Sequence, residues 1–327
     1  MKKFIALCLS LFLMCALFPA AIAAETTSEE TWEGGYVFEP EPDLTNEEII
    51  QMLENDPTTV KSNEYDSILQ EKKVAKQVLA SQNTTLAEKM EARETLAFDP
   101  AEKVYELQEK SDEELRDLCI DNERIQIIRN FKGTDSELLA LGATCSVSGH
   151  PKYTMNASGQ WAKITFTYSW DKAPIWQMRD ALVAQATLPF QRIKVPDVTC
   201  TINYVSPSGG IYKKSFDQDD IIACPFQDSS TTGFAFKVME KHTVKLVEST
   251  CFAQTGSATL VFRSIDSHDV TLSYGYAHAK RNVDASAGIT FGPSPTGKIA
   301  FSLSDEYYQM LPEPIGGRLC DSHFFTK

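Results

Sequence analysis

The pattern of hydrophobic and polar positions changes near residue 144. Before that point, apolar residues recur every three or four positions, which is typical of amphipathic helices. After it, apolar and polar residues alternate, as in residues 163–170, where Ile164, Phe166, Tyr168 and Trp170 share one side. The sequence therefore predicts an α+β protein, with a helical region over residues 44–141 and an antiparallel β-sandwich over residues 142–327.

Local signals mark where the helices begin. Thr45 with Glu48, and Ser111 with Glu114, have the spacing of a capping box. Asp121 can cap a further helix, which Gly133 would close. We also expect a long helix starting near residue 65, another opening after residue 99, and an end to the first helix at residues 56–57.

The alternation that marks residues 163–170 recurs in five later segments, which predict short strands without intervening helices. These segments are residues 198–204, 234–238, 260–262, 270–276 and 299–303. The turn-forming run at residues 206–210 predicts a hairpin loop. Residues 171–197 fit either a helix or a strand.

The start of the chain has the three parts of a secretory signal peptide. Lys2 and Lys3 precede an apolar run over residues 4–18, and small residues follow at positions 21 and 23. The run is shorter than the roughly 20 residues that a membrane-spanning helix needs. We therefore expect cleavage after Ala23 and a secreted, extracellular protein without a membrane span.

The charge is divided unevenly along the chain. Residues 25–140 hold 29 acidic and 12 basic residues, whereas residues 141–327 are nearly balanced. Residues 24–43 are acidic and contain prolines, which predicts a flexible lead-in. An acidic surface of this kind argues against a nucleic-acid partner.

Six cysteines remain after the predicted cleavage, and an even number in an exported chain predicts disulfide bonds. They are Cys119, Cys145, Cys200, Cys224, Cys251 and Cys320. The best single pairing joins Cys200 to Cys224 across the expected hairpin, followed by Cys119 with Cys145 and Cys251 with Cys320.

Several short motifs resemble functional sites but lack residues that such sites need. Residues 292–298 have phosphate-loop spacing, but prolines and a following strand pattern favour a turn. Residues 217–220 are acidic, yet they lack the glycine and distal glutamate of a calcium loop. No histidine spacing predicts a metal site, and the sequence implies no cofactor.

The catalytic alternatives depend on histidines. Asp266, Ser267 and His268 are sequence neighbours, whereas a catalytic triad assembles from separate segments. A cysteine nucleophile with His242 or His278 would compete with disulfide formation. We expect no catalytic residues.

The binding candidates are Trp161 and Trp176, which lie near the ends of predicted strands. Aromatic side chains exposed there could stack on sugars or anchor a partner protein. Trp170 and Tyr168 instead share the apolar face of their strand and are expected in the core.

Three segments carry a resemblance to a group of exported, uncharacterised proteins of Gram-positive bacteria. They are residues 111–131 with 133–135, residues 143–144 and residues 168–170. The resemblance spans about two thirds of the chain and implies an N-terminal helical segment followed by a β domain. Because its motifs are structural, it implies no activity and no site.

These observations predict an exported, non-enzymatic binding or interaction protein whose partner is cell-wall or glycan material or another protein. One alternative is a secreted antibacterial or toxin-like protein, with the acidic helices as a pro-segment. A weaker alternative is an extracellular hydrolase with an unfamiliar site.

Overall fold

The described part of the chain starts at the beginning of the predicted helical region. The computed structural model describes residues 43–156, 159–177, 179–186, 193–216, 222–225, 232–239, 241–244, 249–264, 270–279, 289–293, 299–303, 308–315 and 318–321. The predicted signal peptide and most of the acidic lead-in, together with the segments 217–220 and 265–269, lie outside these residues. Among the described residues, no helix is long and apolar enough to cross a membrane.

Seven described helices precede the main strands. They are α1 (Asn46–Asn55), α2 (Glu64–Ala80), α3 (Leu86–Ala97), α4 (Glu102–Gln108), α5 (Asp112–Asp117), α6 (Asn122–Asn130) and α7 (Asp135–Leu141). The capping boxes of Thr45 and Ser111 are both present, and Asp121 caps α6 by accepting from the Arg124 N–H. Helices α3 and α7 were not predicted. A short strand, β1 (Val60–Asn63), also lies within this region.

The remaining described strands follow from residue 144. They are β2 (Thr144–Asn156), β3 (Gly159–Trp170), β4 (Arg179–Ala186), β5 (Ile193–Val205), β6 (Ile211–Phe216), β7 (Ile222–Pro225), β8 (Thr232–Met239), β9 (Lys241–Val244), β10 (Ser249–Ser264), β11 (Val270–Ala279), β12 (Ile289–Pro293), β13 (Ile299–Leu303), β14 (Tyr308–Ile315) and β15 (Arg318–Asp321). The ambiguous residues 171–197 therefore contribute a strand, β4, after a loop.

All described strand pairs are antiparallel. The first sheet has the order β1-β2-β3-β10-β5-β6, with β9 also paired to β10. The second sheet has the order β14-β11-β4-β8-β7, with β15 paired to β11. Strands β12 and β13 pair with Pro293 opposite Ile299, while residues 294–298 of the phosphate-loop motif lie outside the described residues. The hairpin predicted at residues 206–210 is also present, between β5 and β6.

Two clusters of buried side chains form the core. The larger follows the predicted inward face of the first sheet and includes Leu182 and Tyr276 from the second sheet. Gly256 allows the Tyr168 ring to lie on the neighbouring strand, because an added Cβ would be only 2.4 Å from that ring. The α+β class is thus confirmed, while stacking of the sheets as a sandwich stays a prediction.

The smaller cluster packs the helices together. Its members come from α2, from α4 to α7 and from residues beside them, and it also holds Ile175 and Trp176 from the loop of residues 171–177. All described residues belong to one compact unit that spans Phe38–Lys327. Whether residues 44–141 and 142–327 fold independently stays a prediction.

Candidate functional site

An acid–base cluster is buried where helix α2 meets both sheets. His278 Nδ1 lies 2.9 Å from Asp180 Oδ2, and His278 Nε2 lies 3.1 Å from Glu64 Oε1. The side chains of all three residues have 0% exposure. The two carboxylates match the two N–H donors of an imidazolium ring. We call Glu64, Asp180 and His278 the buried cluster.

Aromatic side chains extend the buried cluster toward the first sheet. The Tyr276 hydroxyl donates to Asp180 Oδ2 at 2.6 Å, and the Trp170 Nε1–H donates to the Tyr276 oxygen at 3.2 Å. The Trp170 and His278 rings lie edge to face, with centroids 5.0 Å apart. One hydrogen-bonded chain therefore connects β3, β11 and β4 to helix α2.

Glu64 also organises the backbone around it. Its carboxylate accepts from the N–H groups of Ala143, Ile175 and Trp176, each at 3.0 Å. Burial raises the pKa of Glu64, but the hydrogen bond and charge of His278 and these N–H groups outweigh it, so the pKa lies below its usual value. Glu64 is the first residue of α2, where the helix dipole favours a negative charge.

The buried cluster has the residue types of an acid–base relay without access to a substrate. A general acid or base must come within hydrogen-bond reach of the group that it protonates or deprotonates. All three members of the cluster are fully enclosed. Removing one partner of a buried ion pair leaves an uncompensated charge, so the arrangement holds the helices and both sheets together.

A second acid–histidine cluster lies at the C-terminal end of α1, on the margin of the first sheet. His150 Nε2 lies 3.2 Å from Asp56 Oδ2 and 3.3 Å from the Ser148 hydroxyl. The His150 side chain is 44% exposed, whereas the Asp56 side chain is 10% exposed. We call Asp56, Ser148 and His150 the marginal cluster.

The polar side of the first sheet carries a group of hydroxyls that solvent can reach. Six serine and threonine residues occupy adjacent positions on four neighbouring strands, and each is half-buried or exposed. They are Thr165 on β3, Ser257 and Thr259 on β10, Thr199 and Thr201 on β5, and Ser215 on β6. We call this set the hydroxyl face.

The hydroxyl face is ordered by the strand register. Thr259 is opposite both Thr165 and Thr199, and Thr201 is opposite both Ser257 and Ser215. Two of these pairs approach closely, at 3.2 Å between the Thr165 and Thr259 hydroxyls and 3.5 Å between those of Thr201 and Ser215. The hydroxyls thus orient one another before any ligand binds.

Helix α1 covers the neighbouring part of the same side. The Asn46 amide donates to Gln254 and accepts from the Thr255 hydroxyl, each at 2.9 Å. Ser148 and Thr167 are buried, with their hydroxyls 3.4 Å apart. His150 is opposite Thr165 in the register, so the marginal cluster borders the hydroxyl face.

The predicted exposure of Trp161 and Trp176 is wrong. Their exposed fractions are 2% and 3%, so neither ring can stack on a ligand. Trp176 packs against Tyr65, with ring centroids 4.9 Å apart, because the loop of residues 171–177 folds onto the helical core. The position of Trp176 near the end of a predicted strand did not indicate that helical residues such as Tyr65 would cover its ring.

The predicted Cys200–Cys224 disulfide is not formed. Cys200 carries a thiol rather than a disulfide bond. Cys200 lies on β5 in the first sheet, whereas Cys224 lies on β7 in the second, because the chain changes sheets after β6. Burial raises the pKa of the Cys200 thiol.

The pairings of Cys119 with Cys145 and of Cys251 with Cys320 stay predictions. The Cys119 sulfur is near the carbonyls of Val205 and Thr250, at 3.7 and 3.8 Å. Cys145 lies on β2, opposite Trp170 of β3. Cys251 lies on β10 of the first sheet, and Cys320 lies on β15 of the second.

Among the histidines considered as catalytic, only His278 is placed in a described acid–base cluster. Its ring nitrogens lie at Glu64 and Asp180 rather than at a cysteine. His242 is on β9, and His268 lies outside the described residues. Sequence reasoning missed Glu64, Asp180 and the marginal cluster, since these residues meet only through long-range contacts.

Comparisons with known proteins do not assign the chain to a family. No protein-family profile matches it, and no curated protein matches it. The C-terminal domain of the Streptococcus agalactiae AgI/II polypeptide BspA overlaps 41% of this chain and 52% of its own, with 8% identity and a TM-score of 0.28. The C-terminal domain of the Streptococcus pyogenes antigen I/II-family protein AspA overlaps 41% of this chain and 49% of its own, with 10% identity and a TM-score of 0.27.

A third solved structure, titled a pore forming protein, overlaps 51% of this chain and 90% of its own, with 9% identity and a TM-score of 0.24. The chain spans about half the length of the two streptococcal domains. TM-scores at this level do not establish a shared fold, so these likenesses transfer neither ligand nor activity.

Proposed function

We propose that this protein is exported and acts by non-enzymatic binding, with the hydroxyl face as its contact surface and cell-wall or glycan material as its ligand. The observation that carries this proposal is a contrast in exposure. The acid–base groups of the buried cluster are enclosed, whereas the hydroxyls on the first sheet reach solvent.

The chemistry of the hydroxyl face suits a ligand that is itself rich in hydroxyls. Serine and threonine hydroxyls both donate and accept hydrogen bonds, and they carry no charge that would select for ions. Strand spacing sets them about 4.8 Å apart across the sheet. Short β-sheet side chains have little conformational freedom to lose on binding, which favours a preorganised contact surface.

The buried cluster counts against the two alternative functions, a hydrolase and a toxin-like protein with a helical pro-segment. A hydrolase would need its acid and base to reach a substrate, and these side chains do not. A detachable helical pro-segment would remove Glu64 from His278 and from three backbone N–H groups. Such a loss would leave buried polar groups without their partner.

The test is retention of the secreted, mature chain on insoluble cell-wall material and on a panel of purified glycans. Thr259→Val and Thr201→Val remove hydroxyls while nearly preserving side-chain volume. We expect the double variant to bind about tenfold more weakly, as follows from losing two hydrogen bonds of modest strength. Its melting temperature should stay close to that of the parent chain.

Ser208→Ala, which removes an exposed hydroxyl in the turn between β5 and β6, is the matched control. It should leave retention unchanged. Unaltered retention in the double variant would contradict the assignment of the hydroxyl face. Turnover of any substrate that a single polar substitution abolishes would contradict the non-enzymatic proposal as a whole.

A further inference from the structure

Helix α1 rests on a polar surface rather than in the hydrophobic core. Its apolar side chains Ile49 and Leu53 are each 2% exposed, yet among the described residues neither belongs to the two clusters that form the core. The helix contacts β2, β3 and β10 on the outer side of the first sheet. An amphipathic helix usually covers an apolar face of a sheet, so this packing differs from that of a core helix.

The surface beneath α1 continues the hydroxyl face. Thr167 is opposite Ser257 of the hydroxyl face, and Ser148 is opposite Thr167. Thr255 precedes Ser257 by two residues on β10, so both side chains point to the same side of the sheet. Ser148, Thr167 and Thr255 each have 0% exposure. We call these three residues the covered hydroxyls.

Polar contacts fasten α1 near both of its ends. At its N-terminal end, Asn46 makes the hydrogen bonds to β10 described above, and Asp43 is paired with Lys213 on β6. At its C-terminal end, Asp56 is paired with His150 on β2 at 3.2 Å. Each ion pair includes a side chain that solvent reaches, since Asp43 is 82% exposed and His150 is 44% exposed. Ion pairs of this kind contribute little to stability and can be replaced by water.

A short turn joins α1 to the first sheet. The Thr59 N–H donates to the Asp56 carbonyl at 3.1 Å, and β1 begins at Val60. Turns of a few residues can absorb the backbone rotation that moves a whole element. Rotation at residues 56–59 would lift α1 from the sheet and leave β1 paired to β2.

We propose that α1 is a displaceable cover, and that its opening extends the hydroxyl face by the covered hydroxyls. In the closed state these hydroxyls bond within the protein, as Ser148 does with Thr167 and Thr255 with Asn46. A ligand rich in hydroxyls could take over these bonds in the open state, because serine and threonine both donate and accept. The assignment of this ligand rests on the proposed function, whereas the opening of α1 does not.

Native-state hydrogen exchange of the mature chain tests the opening without a ligand. Leu53→Ala removes apolar contact between α1 and the sheet, so we expect the amides of α1 to exchange about tenfold faster. Leu107→Ala is the matched control, since Leu107 is 1% exposed and lies in the smaller core cluster. This control should speed exchange in the core and leave α1 unchanged. Equal acceleration of α1 in both variants would mean that it opens only when the whole chain unfolds, and would overturn the proposal.

Retention on purified insoluble peptidoglycan tests the surface beneath α1. Leu53→Ala should bind about threefold more tightly than the parent chain, because a larger fraction of the molecules is open. Adding Thr167→Val should remove this gain, while Thr167→Val alone should have a smaller effect.

The two experiments fail separately. A gain that survives Thr167→Val, or no gain although α1 opens, would overturn the extension of the hydroxyl face. A parent chain that no glycan retains would overturn the proposed function and the ligand assigned here, and the exchange result would still decide whether α1 is a displaceable cover.

Discussion

The buried cluster and the marginal cluster use the same kinds of side chain for different ends. In the buried cluster, both ring nitrogens of His278 meet carboxylates, and Glu64 binds three backbone N–H groups. In the marginal cluster, one ring nitrogen of His150 is approached by Asp56 and Ser148, and the His150 ring is partly exposed. Residue type alone therefore does not separate an enclosed histidine from one that solvent can reach.

What separates the two clusters is solvent access. A buried polar network whose members have their partners rigidifies the fold. The buried cluster is 0% exposed, while His150 in the marginal cluster is 44% exposed.

The largest effect should come from removing the histidine of the buried cluster. We expect His278→Ala to lower the free energy of unfolding by about 3–5 kcal/mol, because two buried carboxylates would lose their shared partner. Urea denaturation of the mature chain measures this change. His150→Gln is the control and should change stability by less than about 1 kcal/mol, as exposed pairs do. Equal effects of the two variants would remove the distinction between the clusters.

The sequence predicted much of this scaffold because its signals are local. The capping boxes of Thr45 and Ser111 need only a hydroxyl and a glutamate three residues later, and both form. The alternation in residues 163–170 placed Phe166 inside and Thr165 outside, as found. These local signals could not predict which strands pair, because β10 lies between β3 and β5 although it follows both in sequence. That order creates the hydroxyl face from Thr-x-Thr and Ser-x-Thr segments far apart in the chain.

Long-range contacts also explain the errors. Glu64 is 214 residues away from His278 in sequence, so no spacing rule could join them. The loop that contains Trp176 is held by a residue far away in sequence, since the Arg124 side chain donates to the Ala173 carbonyl at 2.6 Å. The pairing of Cys200 with Cys224 failed for a related reason, because it assumed that sequence neighbours stay in one sheet.

A smaller effect should appear in the response of the buried cluster to acid. The pKa of Glu64 lies below its usual value in the folded chain, so ionised Glu64 contributes stability above its unfolded pKa of about 4.3. That contribution is lost as the pH falls through the folded pKa. We expect the stability gap between the parent chain and Glu64→Gln to be constant near neutral pH and to shrink below about pH 4.5. Urea denaturation between pH 3 and 7 measures the gap, and a gap that narrows as the pH rises would contradict this account.

The two aspartates distinguish the clusters most directly. Asp180→Asn should destabilise the chain by several kcal/mol, because Asp180 accepts from Tyr276 and faces His278 in a fully enclosed site. Asp56→Asn should change the stability of the chain by only about 0.5–1 kcal/mol. The amide oxygen of asparagine can still accept from Thr58, and the neighbouring His150 is partly hydrated. Thermal denaturation measures both variants side by side. A large loss in Asp56→Asn under these conditions would mean that the marginal cluster supports the fold as the buried one does, and that Asp56 is held there for stability.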